Sequence, residues 1–151
     1  MSGRLNQRLA ADTALWVVDT SGARAAWWRR RIGSLDLDVR RPPLDGLDEL
    51  RADDAPAAIA LDLGVGQEVS GLQSIARWRE RRAATLVLVT ADASFAWAES
   101  AIRAAGAHDV VIGWGACGRA CRLLERFRAA HRRPIADPYD LVARRLPGRF
   151  R

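Results

Sequence analysis

The stretch Ala57–Gly66, AAIALDLGVG, is an apolar run that ends on one acid, Asp62, and then breaks into glycine. A continuous run of this length fits a strand buried on both faces in the middle of a parallel sheet. A carboxylate at the carboxyl end of such a strand sits on the rim where open α/β sheets bind ligands. Two other runs end in the same manner, Ala14–Asp19 (ALWVVD) and Thr85–Thr90 (TLVLVT). Asp19, Asp62 and Thr90 are therefore expected at one edge of one sheet.

Between these runs the sequence alternates strand and helix signals. Thr20 or Ser21 can cap a helix that runs to about Ile32 and stops at Gly33. Leu35–Val39, LDLDV, alternates as a half-buried edge strand does. Pro42, Pro43 and Gly46 mark a loop. Leu47 and Leu50 allow a short second helix, which Pro56 closes. Ser70 can cap a helix through Arg82. Ser94 can cap the next, in which Trp97, Ala98, Ala101, Ile102 and Ala105 repeat at helical spacing before Gly106. Asp109–Ile112 is the fifth strand. Cys117, Ala120, Cys121, Leu124 and Phe127 form the stripe of a last long helix that ends near His131. Residues 1–12 read as a polar arm, 13–131 as one domain, and 132–151 as a basic tail in which Tyr139–Leu146 can form a short helix.

Five strands alternating with five helices favour an α/β, doubly wound, five-stranded parallel sheet with helices on both faces. The expected order is 2-1-3-4-5, a flavodoxin-like fold. That order sets the rims of strands one and three side by side at the topological switch point.

Composition narrows the functions. The chain has 151 residues, 49% of them hydrophobic, and carries a net charge of +6. All 24 basic residues are arginine, so no chemistry can use an ε-ammonium group. The arginines are mixed with 18 acids, which favours a solvated basic surface over a nucleic-acid groove. No run approaches the roughly 20 apolar residues of a membrane span, and the first residues lack a signal-peptide core. A cytoplasmic location is the expectation. Cys117 and Cys121 lie one helical turn apart, a common core pattern, and two thiols do not make a metal site.

Several local matches, in order, resemble the receiver domain of two-component response regulators. Val17–Asp19 (VVD), followed by Thr20, resembles the first-strand end where receivers carry a pair of acids. Leu61–Asp62 resembles the phosphoacceptor position, and Gly71 the glycine that follows it, one residue late. Val89–Ala91 (VTA) resembles the fourth-strand threonine and small residue. Ala105–Val111 (AGAHDVV) resembles the turn into the fifth strand. The resemblance covers about Ala14–His131. It implies that Asp62 is the phosphoacceptor, that Asp19 and Asp62 hold Mg²⁺, and that Thr90 hydrogen-bonds a phosphoryl oxygen.

The chain departs from the family at several of its functional positions. Thr20 stands where the second acid is expected. Gly113 replaces the fifth-strand lysine and Trp114 the proline after it. Val110 falls at the aromatic switch position. A Mg²⁺ ion would lose a ligand, and a phosphoryl group its fixed positive partner, which can be worth several kcal/mol at a reacting centre. Asp19 can also be read as a helix cap, Thr90 as a strand-end residue and Trp114 as a core-edge aromatic.

The expectation is a divergent receiver-like, non-enzymatic signalling module. It would act through protein contacts with a histidine kinase, a phosphotransfer protein or a target, and would not be switched by ordinary aspartyl phosphorylation. The face formed by the fourth helix, fifth strand and fifth helix, with Trp97, Glu99, Arg103 and Arg119–Arg128, would carry the contact. The alternative is a working receiver that uses Asp62 and Mg²⁺ in a phosphorelay. Arginine-mediated nucleic-acid binding is more remote, because no helix-turn-helix, RNA-binding or zinc pattern is present. An enzyme is disfavoured by the absence of a glycine-rich phosphate loop after the first strand, where the sequence is DTSGAR.

Overall fold

The computed structural model describes residues 14–35, 37–42, 58–64, 66–81 and 85–131. The N-terminal arm, the helix expected around Leu47 and Leu50, and the C-terminal tail lie outside the described residues. The strands are β1 (Ala14–Val18), β2 (Asp38–Arg40), β3 (Ala58–Leu63), β4 (Leu86–Ala91) and β5 (Asp109–Ile112). The described helices are α1 (Ala23–Arg31), α2 (Glu68–Arg81), α3 (Glu99–Ala104) and α4 (Gly118–His131). All strand pairs are parallel, and the sheet order is β2-β1-β3-β4-β5, as the sequence pattern requires. No described helix is long and apolar enough to cross a membrane.

Side chains alternate across the sheet with the strand period of two. Leu86 and Leu88 of β4 face a core with Trp27 and Trp28 of α1 and Cys117, Ala120 and Leu124 of α4. Val87 and Val89 face the opposite core, with Ile75 of α2, Phe95, and Ile102 of α3. Burying a Leu or Ile fully contributes about 1.5–3 kcal/mol. β4 is buried along its whole length between the two cores.

Local departures from the sequence reading have identifiable causes. The edge strand is short and starts at Asp38, because Gly33–Leu35 forms a 3₁₀ turn that buries Leu35 against the α1 core. α2 starts at Glu68, so Ser70 lies inside the helix, where its hydroxyl donates to the Gln67 carbonyl rather than capping. Asp92 caps the segment before α3 by accepting from the Ser94 amide. That segment, Ala93–Ala98, is 3₁₀, with about three residues per turn instead of 3.6. Trp97 consequently leaves the inner stripe and stands 77% exposed.

Gly71 of α2 is required by close packing. A Cβ there would collide with Cδ2 of Leu63, which is itself buried on β3. Helix propensity alone predicts that Gly71→Ala stabilises. Overpacking predicts the opposite sign, a loss of about 1–3 kcal/mol, seen as a lower urea midpoint at unchanged slope. Gly115→Ala, where a Cβ would meet nothing within 4 Å, is the matched control.

His108 ties β5 to β4. Its Nδ1 accepts from the Val87 amide at 3.0 Å, and its own amide donates to the Val87 carbonyl at 2.8 Å. Burial, with the Arg79 charge beside it, holds the imidazole pKa below its usual range. The neutral ring is the native form. Stability is therefore full above the unfolded-state pKa of about 6.5 and is lost as pH falls from there through the lower folded value. Urea unfolding between pH 7 and pH 5 should show this slope, and His108→Asn should flatten it.

Candidate functional site

The carboxyl ends of β1, β3, β4 and β5 form one rim, and the sequence-derived residues converge there. Asp62 is the fifth residue of β3 and pairs in register with Thr90 on β4. The Thr90 hydroxyl, fully buried, donates to Asp62 Oδ1 at 2.8 Å. Asp19 follows β1 and is 5% exposed. Asp62 borders a cleft of about 190 Å³, whose lining includes Asp19, Thr20, Gln67, Ser70 and Trp78.

Asp19 is held as a helix cap. Its Oδ2 accepts from the amides of Arg24 and Ala25 at 2.9 and 3.1 Å. These are first-turn donors that lack partners within the helix, and a carboxylate also suits the positive end of the helix dipole. Thr20 or Ser21 was expected to cap α1, and the Ser21 hydroxyl does accept from the Ala23 amide at 3.2 Å. The cap position itself is Gly22 at φ 81°, a left-handed backbone that glycine adopts without strain. The other oxygen of Asp19 accepts from Arg41 Nε at 2.7 Å, and Arg41 also reaches the carbonyls of Asp19 and Thr20.

Arg24, which the sequence reading did not single out, completes the site. Asp19 fixes the first turn of α1, and helical side chains lean toward the N-terminus. The Arg24 side chain accordingly crosses the rim and is 3% exposed. Its Nε donates to Asp62 Oδ1 at 2.9 Å. Nη1 donates to the Gly113 carbonyl at 2.7 Å, and Nη2 reaches the Ala91 carbonyl at 3.4 Å. The guanidinium carbon lies 3.7 Å from the centre of the Trp114 ring, a cation–π stack. Trp27 Nε1 donates to the Trp114 carbonyl at 3.1 Å. One arginine from α1 thereby ties together the ends of β3, β4 and β5.

Asp62 feels opposed influences. Burial pushes its carboxyl pKa up, and the Thr90 hydrogen bond and the Arg24 charge only partly offset this. Nearby Asp19 adds a small upward push.

The donor set does not fit a divalent cation. Both oxygens of Asp19 are committed to α1 amides and Arg41, and Oδ1 of Asp62 to Arg24 and Thr90. Mg²⁺ demands near-octahedral oxygen coordination. Here a guanidinium stands beside the acid that would have to ligate it. Among the described residues no group of three or more His, Cys, Asp or Glu could hold a metal.

The positions that depart from the receiver pattern have new tasks. Gly113, at φ 77°, turns its carbonyl to Arg24. Trp114, 49% exposed, stacks on Arg24 from outside. Val110 is packed in the α2–α3 core, and Thr20 is exposed at the cleft. The absence of lysine does not leave the rim without a cation, because α1 supplies one. The signal available in the sequence was an arginine five residues after Asp19, at the start of a helix that the acid caps.

No protein-family model matches the chain, and no curated protein matches it. Solved structures do. A CheY-like protein, tadZ, from Pseudomonas aeruginosa PAO1 aligns over 76% of this chain and 98% of its own, with TM-score 0.64 and 18% identity. A response regulator from Thermotoga maritima aligns over 77% and 97%, with TM-score 0.60 and 19% identity. The beryllofluoride-activated DrrB receiver domain aligns over 76% and 95%, with TM-score 0.59 and 22% identity. The chain has the CheY-like, flavodoxin-type fold that these receiver domains share.

Arg24→Ala should leave Asp62 half-buried beside Asp19 without its cation. A loss of about 2–3 kcal/mol in urea unfolding is expected, below the figure for a fully buried pair because the Asp62 side chain is 25% exposed. Combining Arg24→Ala with Asp62→Ala should recover at least about 1 kcal/mol relative to additivity. Strict additivity would show that the pair contributes no coupling.

Proposed function

We propose that this chain is a non-enzymatic, receiver-like signalling module that acts through protein contacts and is not switched by ordinary aspartyl phosphorylation. The observation that carries this reading is the Arg24–Asp62 ion pair, with the guanidinium 3% exposed. In this reading the carboxylate that would accept a phosphoryl group already has its cation. The same cation already bridges the end of β4 and the turn after β5, so the rim is held in one arrangement. The partner would be a kinase, a phosphotransfer protein or a target of such a pathway.

A second reading keeps Asp62 as a phosphoacceptor in a phosphorelay. It is favoured by the donors converging on Asp62, Arg24 Nε and the Thr90 hydroxyl, which are groups suited to phosphoryl oxygens as well as to a carboxylate. In that case Arg24 would do the work that the resemblance assigns to a lysine.

Titration with Mg²⁺ and then beryllofluoride, followed by tryptophan fluorescence, separates the two. Trp114 stacks on Arg24 and so reports on the rim. The locked reading expects no saturable change, with calorimetry equally flat. A saturable change that Asp62→Ala abolishes, with that variant still folded by circular dichroism, would overturn it in favour of the second reading.

A further inference from the structure

We propose that the layer formed by α1 and α4 is a docking face for an acidic protein segment. This rests on the reading that the chain works through protein contacts; it keeps the Arg119–Arg128 helix of the face that the family resemblance implied and joins it to α1 instead of α3. The two helices share one core on one side of the sheet, where Trp27 and Trp28 meet Ala120 and Leu124. Their outer surfaces are strongly one-signed. Leaving aside the buried Arg24, α1 and α4 carry seven arginines against a single acid, Glu125. On the opposite layer, α2 and α3 carry four arginines against three glutamates. The positive charge of the described domain is thus segregated to one side.

Placement on the helices concentrates it further. Arg29, Arg30 and Arg31 fill the exposed last turn of α1, where cations also suit the helix dipole. Arg119, Arg122 and Arg126 recur at spacings of three and four and are all exposed, so they form one stripe along α4. Trp114, in the turn that leads into α4, is half exposed and held against α1 by Arg24 and Trp27.

Two observations favour an acidic protein over a nucleic acid. Arginine beside a partly exposed, rigidly held tryptophan is the composition of protein-interface anchors. Glu125 interrupts the stripe between Arg122 and Arg126, which would repel an evenly charged phosphate backbone. A segment with discrete Asp and Glu side chains can place its carboxylates around it. The arginine forks suit bidentate pairing with those carboxylates.

The test uses the full chain, with poly-L-glutamate and a DNA duplex of matched charge as probes, at one fixed salt concentration. Wild type is compared with Arg126→Glu, Arg30→Glu and Arg77→Glu, three variants that change the net charge by the same step, and Arg77 lies on α2. The expected result is that wild type prefers poly-L-glutamate. Arg126→Glu and Arg30→Glu should weaken it by about five-fold, and Arg77→Glu by much less. No binding by wild type, or equal weakening in all three variants, would overturn the proposal. Tighter binding to the duplex would also overturn it and assign the face to nucleic acid. The result is independent of the beryllofluoride titration: a failed face leaves the locked cleft standing, and a responsive cleft leaves the face standing.

Discussion

The ion pair between Arg24 and Asp62 sits where the ends of β3, β4 and β5 converge with the first turn of α1, and it brings four separate parts of the chain into one network. The acid is the fifth of the six residues of a strand inside the sheet, and the guanidinium has almost no access to water. In such a place a single unpaired charge is expensive and a well-bonded pair is tolerable. The pair is well bonded: Thr90 takes a second hydrogen bond to the same carboxylate oxygen, and two backbone carbonyls and an indole face absorb the rest of the guanidinium. The neighbouring acid obeys the same rule. Asp19 is satisfied by two helix amides and by Arg41, so both carboxylates at the switch point are neutralised from within the chain.

The fold was legible because its signals are local and repeated. Apolar runs ending on Asp19, Asp62 and Thr90 required buried parallel strands, and short crossovers then left few topologies. Where the reading missed, a tertiary or backbone effect intervened that no local pattern carries. Trp97 was counted in an apolar repeat at 3.6-residue spacing and also on the contact face; the segment winds as a 3₁₀ helix, which takes it out of the repeat and leaves it on the surface. Ser70 was taken as a cap, but α2 begins at Glu68.

The site was legible only in its acids. Asp62 and Asp19 announce themselves by standing at the ends of apolar strands. Arg24 does not, because an arginine in a helix of an arginine-rich chain is the least informative residue in it. Its role depends on a long-range contact, 38 positions away in sequence, and on the capping contact by which Asp19 fixes the first turn of α1. The lack of lysine made a missing cation the natural expectation. A guanidinium with a long stem can reach the rim from another element, and it can satisfy two carbonyls and a carboxylate at once, which a lysine ammonium, a compact point charge, does less well.

An intramolecular cation also differs in kind from a bound ion. A metal's occupancy rises and falls with its concentration, whereas a residue on α1 is always present at high effective concentration. To displace it, an incoming group must stabilise the displaced state by more than the pair and its loop contacts are worth. Moving a two-state equilibrium from 1:99 to 99:1 takes about 5.5 kcal/mol of differential binding. The same residue that quiets the cleft also holds Trp114 in the turn that leads into α4. A rigid aromatic beside a stripe of arginines loses little conformational entropy when a partner arrives. Holding the cleft in one state and pre-ordering the neighbouring surface are in this way two consequences of one side chain.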